Sequence, residues 1–139
     1  MHLGLGLRRT EGVSTITMDV DDPGYRVRWD EANAIARIEW AAGSACTLAK
    51  AQRILAATAA LERGQVRLLV DIRELGSIDR PARELFMYSD EYFASTALLA
   101  GSAATRMVAN FFLGLNRGPI PVRMFTSEAD AVGWLRTQS

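Results

Sequence analysis

The apolar residues of this chain change their spacing once, near Thr47, and that change dictates the fold class. Before it they recur at every second position. Tyr25, Val27 and Trp29 face one way, and Arg26, Arg28 and Asp30 face the other. Ala36, Ile38 and Trp40 repeat the pattern against Arg37 and Glu39. A period of two belongs to strands half buried on a core. With Glu31-Ala32-Asn33 as the turn, the two runs predict a hairpin with one solvated face. After Thr47 the spacing becomes three and four. Ala51, Ile54, Leu55, Thr58 and Leu61 form a helical stripe, with Arg53, Glu62 and Arg63 off it. Gly64 is the expected stop.

Strands and helices alternate from there. Residues 66–72 (VRLLVDI) carry three successive apolar residues in their middle, as a strand covered on both faces does. A turn over residues 73–79 leads to a helix near Pro81, since proline suits a first helical turn. Leu85, Tyr88, Tyr92 and Phe93 are its expected inner face. Residues 96–101 predict a short buried strand, 103–115 a helix closed by Asn116 and Gly118, and 122–125 the last strand. Ser127 and Asp130 open a closing helix in a capping-box-like arrangement, with Val132, Trp134 and Leu135 inward. Residues 1–22 read as an N-terminal tail or edge strand, the strand being 13–20, and Asp21-Asp22-Pro23-Gly24 is a turn. Residues 23–139 are expected to form a single α/β domain. Its sheet is mixed: an N-terminal antiparallel hairpin followed by βα units with parallel crossovers.

Composition excludes several function classes. The 139 residues include 16 basic and 16 acidic ones, for a net charge of zero. A general nucleic-acid binder needs a basic surface to displace phosphate counterions, so no nucleic-acid partner is expected. Lys50 is the only lysine, an arginine bias that hints at a bacterial source. His2 is the only histidine, which removes histidine-based catalysis and most zinc sites. No metal and no cofactor are expected. Gly4-Leu5-Gly6 is not a dinucleotide fingerprint, because no strand precedes it and no third glycine follows. Cys46 is the only cysteine, so no internal disulfide forms. The apolar runs are too short to span a bilayer, and the start lacks a signal-peptide pattern. A cytoplasmic protein without membrane insertion is the expectation.

The element order and the run LLVDIRELGSID resemble the STAS domains (sulfate transporter and anti-sigma-factor antagonist). Leu69-Val70-Asp71 ends a buried strand, and Ile78-Asp79 matches the approach to the next helix. The likeness is sharper to small STAS-like bacterial proteins. It runs through Asp71-Ile72-Arg73, through Ala82-Arg83 and Phe86, and through Asn110-Phe111-Phe112-Leu113-Gly114-Leu115-Asn116. Pro121-Val122-Arg123-Met124-Phe125-Thr126 and residues 131–135 continue it. The resemblance covers roughly residues 25–137 and implies a non-enzymatic regulatory module that binds a protein partner and forms a homodimer. Antagonist STAS domains carry a phosphorylatable serine just after the residue matching Asp79. Arg80 stands there, a fixed positive charge in place of a switchable negative one. Ser77, two residues before Asp79, is the alternative acceptor.

The resemblance makes Ser77, Asp79, Arg80 and Arg83 the candidate partner-binding loop. Asp79 reads equally as a helix N-cap. Arg80 and Arg83 would share a helix-start face, either solvated or open to an anion. Asp71 ends the buried strand as a possible acid or base, or as a carboxylate bonded to loop amides or to Arg73. No catalytic set accompanies it, so no catalytic residue is assigned. Tyr88, Tyr92 and Phe93 at helical spacing are core rather than a ligand box, and Cys46 is a structural thiol. Residues 107–115 are apolar nearly all round, and exposing Phe111 or Phe112 would forgo about 2–3 kcal/mol each. Met107, Phe111, Phe112 and Leu115 therefore need a cover: the rest of the domain, a second subunit, or an apolar ligand. The last option makes a small apolar-ligand or lipid carrier the competing function. A similar architecture occurs in CRAL-TRIO lipid-transfer domains.

Overall fold

In the computed structural model, β6 (Val66–Asp71) is the middle strand of a five-stranded sheet. The structure describes the strands Leu5–Thr10 and Val13–Met18, residues 24–101, positions 106, 107 and 110, and residues 118–138. Sheet order is β3 (Tyr25–Asp30), β4 (Ile35–Trp40), β6, β8 (Phe93–Leu99) and β9 (Val122–Phe125). The β3–β4 hairpin is antiparallel, with Tyr25 opposite Trp40, and every later pairing is parallel. The α/β class and mixed sheet expected from the change of period are what is observed. β1 (Leu5–Thr10) and β2 (Val13–Met18) form a separate antiparallel pair. The first of these strands lies where the sequence suggested a tail.

Both faces of the sheet are covered. On one, α1 (Leu48–Ala60) and α2 (Arg80–Met87) pack over Val27, Ala36, Ile38, Trp40 and Leu68. On the other, α3 (Glu128–Thr137) lays Ala131 and Leu135 on Ile35, Leu69, Ala97 and Leu99. Leu68 and Leu69 are adjacent and both buried, because successive strand residues point to opposite faces and each face has its own helix.

Three expectations are corrected. The hairpin does not leave one whole face to solvent. Arg26 is exposed on β3, but Arg37 of β4 is only 8% exposed. α3 closes that side, and the buried guanidinium pairs with two carboxylates, half-buried Asp30 at 2.9 Å and exposed Glu128 at 3.3 Å. The helix near Pro81 stops at Met87, so it does not reach Tyr92 and Phe93. A turn at Ser89, whose carbonyl accepts from the Tyr92 and Phe93 amides, breaks it. Phe93 is core as the first residue of β8, Tyr92 is half-buried, and Tyr88 is 59% exposed. Finally, Gly64 is left-handed as a stop residue should be, but Glu62 already adopts that backbone directly after the Leu61 cap.

The Arg37 contacts join α3 to the hairpin and set an acid limit on stability. Burial pushes the Asp30 carboxyl upward. Hydrogen bonds from Asn33 and Arg37, with the Arg37 charge, outweigh it and hold Asp30 below its ordinary 3.8. Asp71 follows the same balance: burial raises it, and the bonds and charge of Arg73 bring it below 3.8. A depressed carboxylate stabilises the fold above its unfolded value and loses that contribution as pH falls through the folded one. Stability should therefore be level near neutrality and decline below about pH 4. Arg37→Ala leaves Asp30 buried without its counter-charge and should cost about 3 kcal/mol at pH 7. Denaturant unfolding from pH 7 to pH 2 checks both, with the deficit of the variant narrowing as Asp30 takes up its proton.

Candidate functional site

The segment between β6 and α2 is held by the segment that follows β4. Gly43 N donates to Glu74 O at 2.8 Å and Gly76 N to Ser44 O at 2.8 Å. Ser77 N also donates to Ser44 O, at 3.3 Å, and Asp79 N to Cys46 O, at 3.0 Å. The result is a two-strand parallel ladder, β5 (Ala45–Cys46) beside β7 (Ser77–Ile78), that periodicity cannot reveal. Gly76 is required by the close approach. A Cβ there would lie 2.9 Å from Gly43 O and 3.2 Å from Ser44 O, and neither backbone atom can give way. Ile72, Leu75 and Cys46 anchor the segment from below.

This framing turns Ser77, Asp79 and Arg80 outward. Arg80 Nε donates to Glu84 Oε1 at 2.9 Å, one helical turn on. Arg83 departs from the expected surface. It is 6% exposed and turned into the fold, so Arg80 and Arg83 do not share an open face. Asp79 departs too. It stands at the N-cap position of α2 with extended backbone, yet its side chain makes no capping bond. Pro81 has no N–H, which removes one of the two donors a cap would use, and Asp79 does not take up the other, Ala82 N, either. At the start of α1, by contrast, Thr47 Oγ1 accepts from Lys50 N at 3.3 Å.

Asp71 is tied into the strand end. Its two oxygens accept from Arg73 Nε at 2.9 Å and Arg73 Nη2 at 2.6 Å, and Oδ1 also accepts from Arg73 N at 3.1 Å. Of the two roles the sequence allows, the geometry is that of the bonded carboxylate. Cys46 is buried, and its thiol is pushed up to about 12, first by burial and then by the Asp79 carboxylate. Such a thiol is protonated at neutral pH and unreactive.

An apolar cavity of about 40 Å³ lies under the ladder, lined by Trp40, Cys46, Leu75, Ile78, Phe86 and Val122 among others. Small-molecule sites measure about 300–1,000 Å³. The cavity is well below that range. Met107 is 71% exposed. Phe111, Phe112 and Leu115, the other members of that expected apolar surface, lie outside the described residues. Among the described residues no helix is long and apolar enough to cross a membrane.

A family model for a domain of unknown function, DUF7793, matches residues 29–139. The chain belongs to the DUF7793 family. Among solved structures it is similar to an uncharacterised DUF3478-family protein with a SpoIIAA-like fold from Shewanella loihica PV-4. Identity is 17%, over 80% of this chain and 91% of that one, and the TM-score is 0.54. It is also similar to a protein of unknown function from Arthrobacter sp. FB24, at 34% identity over 81% of this chain and 99% of that one, with a TM-score of 0.31. No curated protein matches. The DUF7793 domain of this chain has the SpoIIAA-like fold, in agreement with the STAS-like pattern of its sequence.

Two measurements probe the site. Asp79→Ala should change stability by less than about 0.5 kcal/mol, and Thr47→Ala should cost about 1 kcal/mol, in denaturant unfolding. An equal loss in both would mean that Asp79 caps its helix. Cys46 should resist thiol reagents in the native protein at pH 7 and react fully in denaturant, read by intact mass.

Proposed function

We propose that this DUF7793 domain is a non-enzymatic regulatory module that docks a protein partner through Ser77, Asp79 and Arg80. The observation that carries the reading is the ladder-held loop. Three polar side chains project from a backbone that is hydrogen-bonded on its inner side and anchored by buried residues. A surface of this kind loses little conformational entropy on binding. The Asp79 carboxylate, not engaged as a cap, presents its acceptors to a partner's donors. Arg80 supplies a permanent cation where antagonist STAS domains carry a phosphorylatable serine. Docking here is then constitutive, without the kinase-driven release that those domains use.

The SpoIIAA-like fold agrees with this reading and does not supply the partner. The apolar-carrier alternative draws no support from the cavity beneath the loop, which falls well short of a lipid's volume.

The test is partner capture by the tagged protein in a bacterial host that carries its gene. Wild type is compared with Asp79→Ala/Arg80→Ala, and both are checked for folding by thermal unfolding. The double variant should bind any captured partner at least about 30-fold more weakly, as loss of a central charged contact costs about 2 kcal/mol or more. Undiminished binding by a folded double variant would remove these residues from the interface.

A further inference from the structure

A surface groove of about 580 Å³ is lined by α1, α2 and the turn that follows α2. Leu48, Leu85, Tyr88 and Tyr92 supply its apolar walls, and the charged residues on its lining, Glu84 and Glu91, are both acidic. Among the described residues the exposed large hydrophobic side chains are Leu48 at 37%, Tyr88 at 59% and Met107 at 71%. Single exposed apolar residues need no explanation, but two of these three flank one groove. The third lies in helical backbone next to an exposed arginine, Arg106, with Asn110 also exposed one turn on.

We infer that the groove is filled by a second copy of this chain: Met107 of each copy seats between Leu48 and Tyr88 of the other, and Arg106 meets Glu84 and Glu91. Several features favour a second copy over another occupant. The chain itself carries a protruding, unbranched apolar side chain that adapts to an irregular groove. Beside it sits a charge of the sign the groove lacks. The net charge of the chain is zero, so two copies approach without long-range repulsion. Reciprocal exchange, in which Met107 of each copy enters the groove of the other, closes on itself as a twofold dimer and leaves no groove open for a third copy. Glu84 is already bonded to Arg80, which leaves Glu91 as the stronger counter-charge for Arg106. This inference is independent of docking through Ser77, Asp79 and Arg80. It is read from subunit number, not from partner capture.

Native mass spectrometry and light scattering on the full chain test it. Wild type should be a dimer, and Met107→Glu and Tyr88→Glu should each be monomers. Both side chains are exposed, so neither change disturbs the core. Arg106→Glu should weaken the dimer on the order of tenfold, and adding Glu91→Arg should restore it. A Leu48→Cys/Met107→Cys variant should form an intersubunit disulfide that neither single variant forms, with buried Cys46 not competing. A monomeric wild type would overturn the inference and leave the groove to a different protein or a small molecule. So would a dimer that survives both glutamate variants.

Discussion

The candidate loop of this domain depends on one backbone crossing, where residues 43–46 meet residues 74–79. Its hydrogen bonds run directly from main chain to main chain, and Gly76 admits them by lacking a Cβ. The ladder does two things at once. It projects Ser77, Asp79 and Arg80 from a fixed base. It starts both helices of one layer, because α1 begins two residues after Cys46 and α2 two residues after Ile78. Both helices line the groove. Loop and groove are thus joined through the same contact.

On the opposite face of the sheet, ion pairs accompany the apolar packing of α3. Arg37 joins Asp30 and Glu128, and Arg73 joins Asp71. The two sets sense each other, since the Arg37 charge helps to lower Asp71 and Glu128 helps to raise Arg73. Each buried or half-buried carboxylate thus has a guanidinium of its own. This accounts for the behaviour of Asp71 at the end of the central strand. A general acid or base near neutral pH needs a carboxyl pushed upward, and every group near Asp71 other than its burial pushes it downward.

The fold was legible in the sequence wherever a period ran long enough. Alternation in Tyr25–Asp30 and Ala34–Trp40 and the run around Leu68-Leu69 each placed an element within a residue or two, and the stripe of α1 placed its start. What escaped was set by tertiary contacts. A two-residue strand such as β5 or β7 has no period to read. Arg37 follows the polar half of its alternation, yet it is buried because a helix about ninety residues later brings Glu128 to it. Tyr88 fits the helical spacing of a core residue, but the chain turns at Ser89 and leaves it outside. Of the candidate loop, Ser77, Asp79 and Arg80 were found through a resemblance. Arg83 came from the same resemblance, and its helical position points it inward.

The two helix starts at the ladder make the sharpest comparison within the molecule. Thr47 and Asp79 follow paired strand residues, both have extended backbone, and both belong to residue types that cap helices well. Only Thr47 does so. Thr47 takes the N–H of the third helical residue, whereas Asp79 leaves the equivalent Ala82 N–H and stays an exposed carboxylate next to a cation. An unused cap forgoes about 1 kcal/mol, a noticeable share of a small domain's stability. Proline at the first turn recovers part of that by limiting the unfolded chain. A helix start that needs stability alone is served better by an engaged cap, as at Thr47. A carboxylate left unengaged at the most rigidly held surface loop is better matched to contact with another molecule.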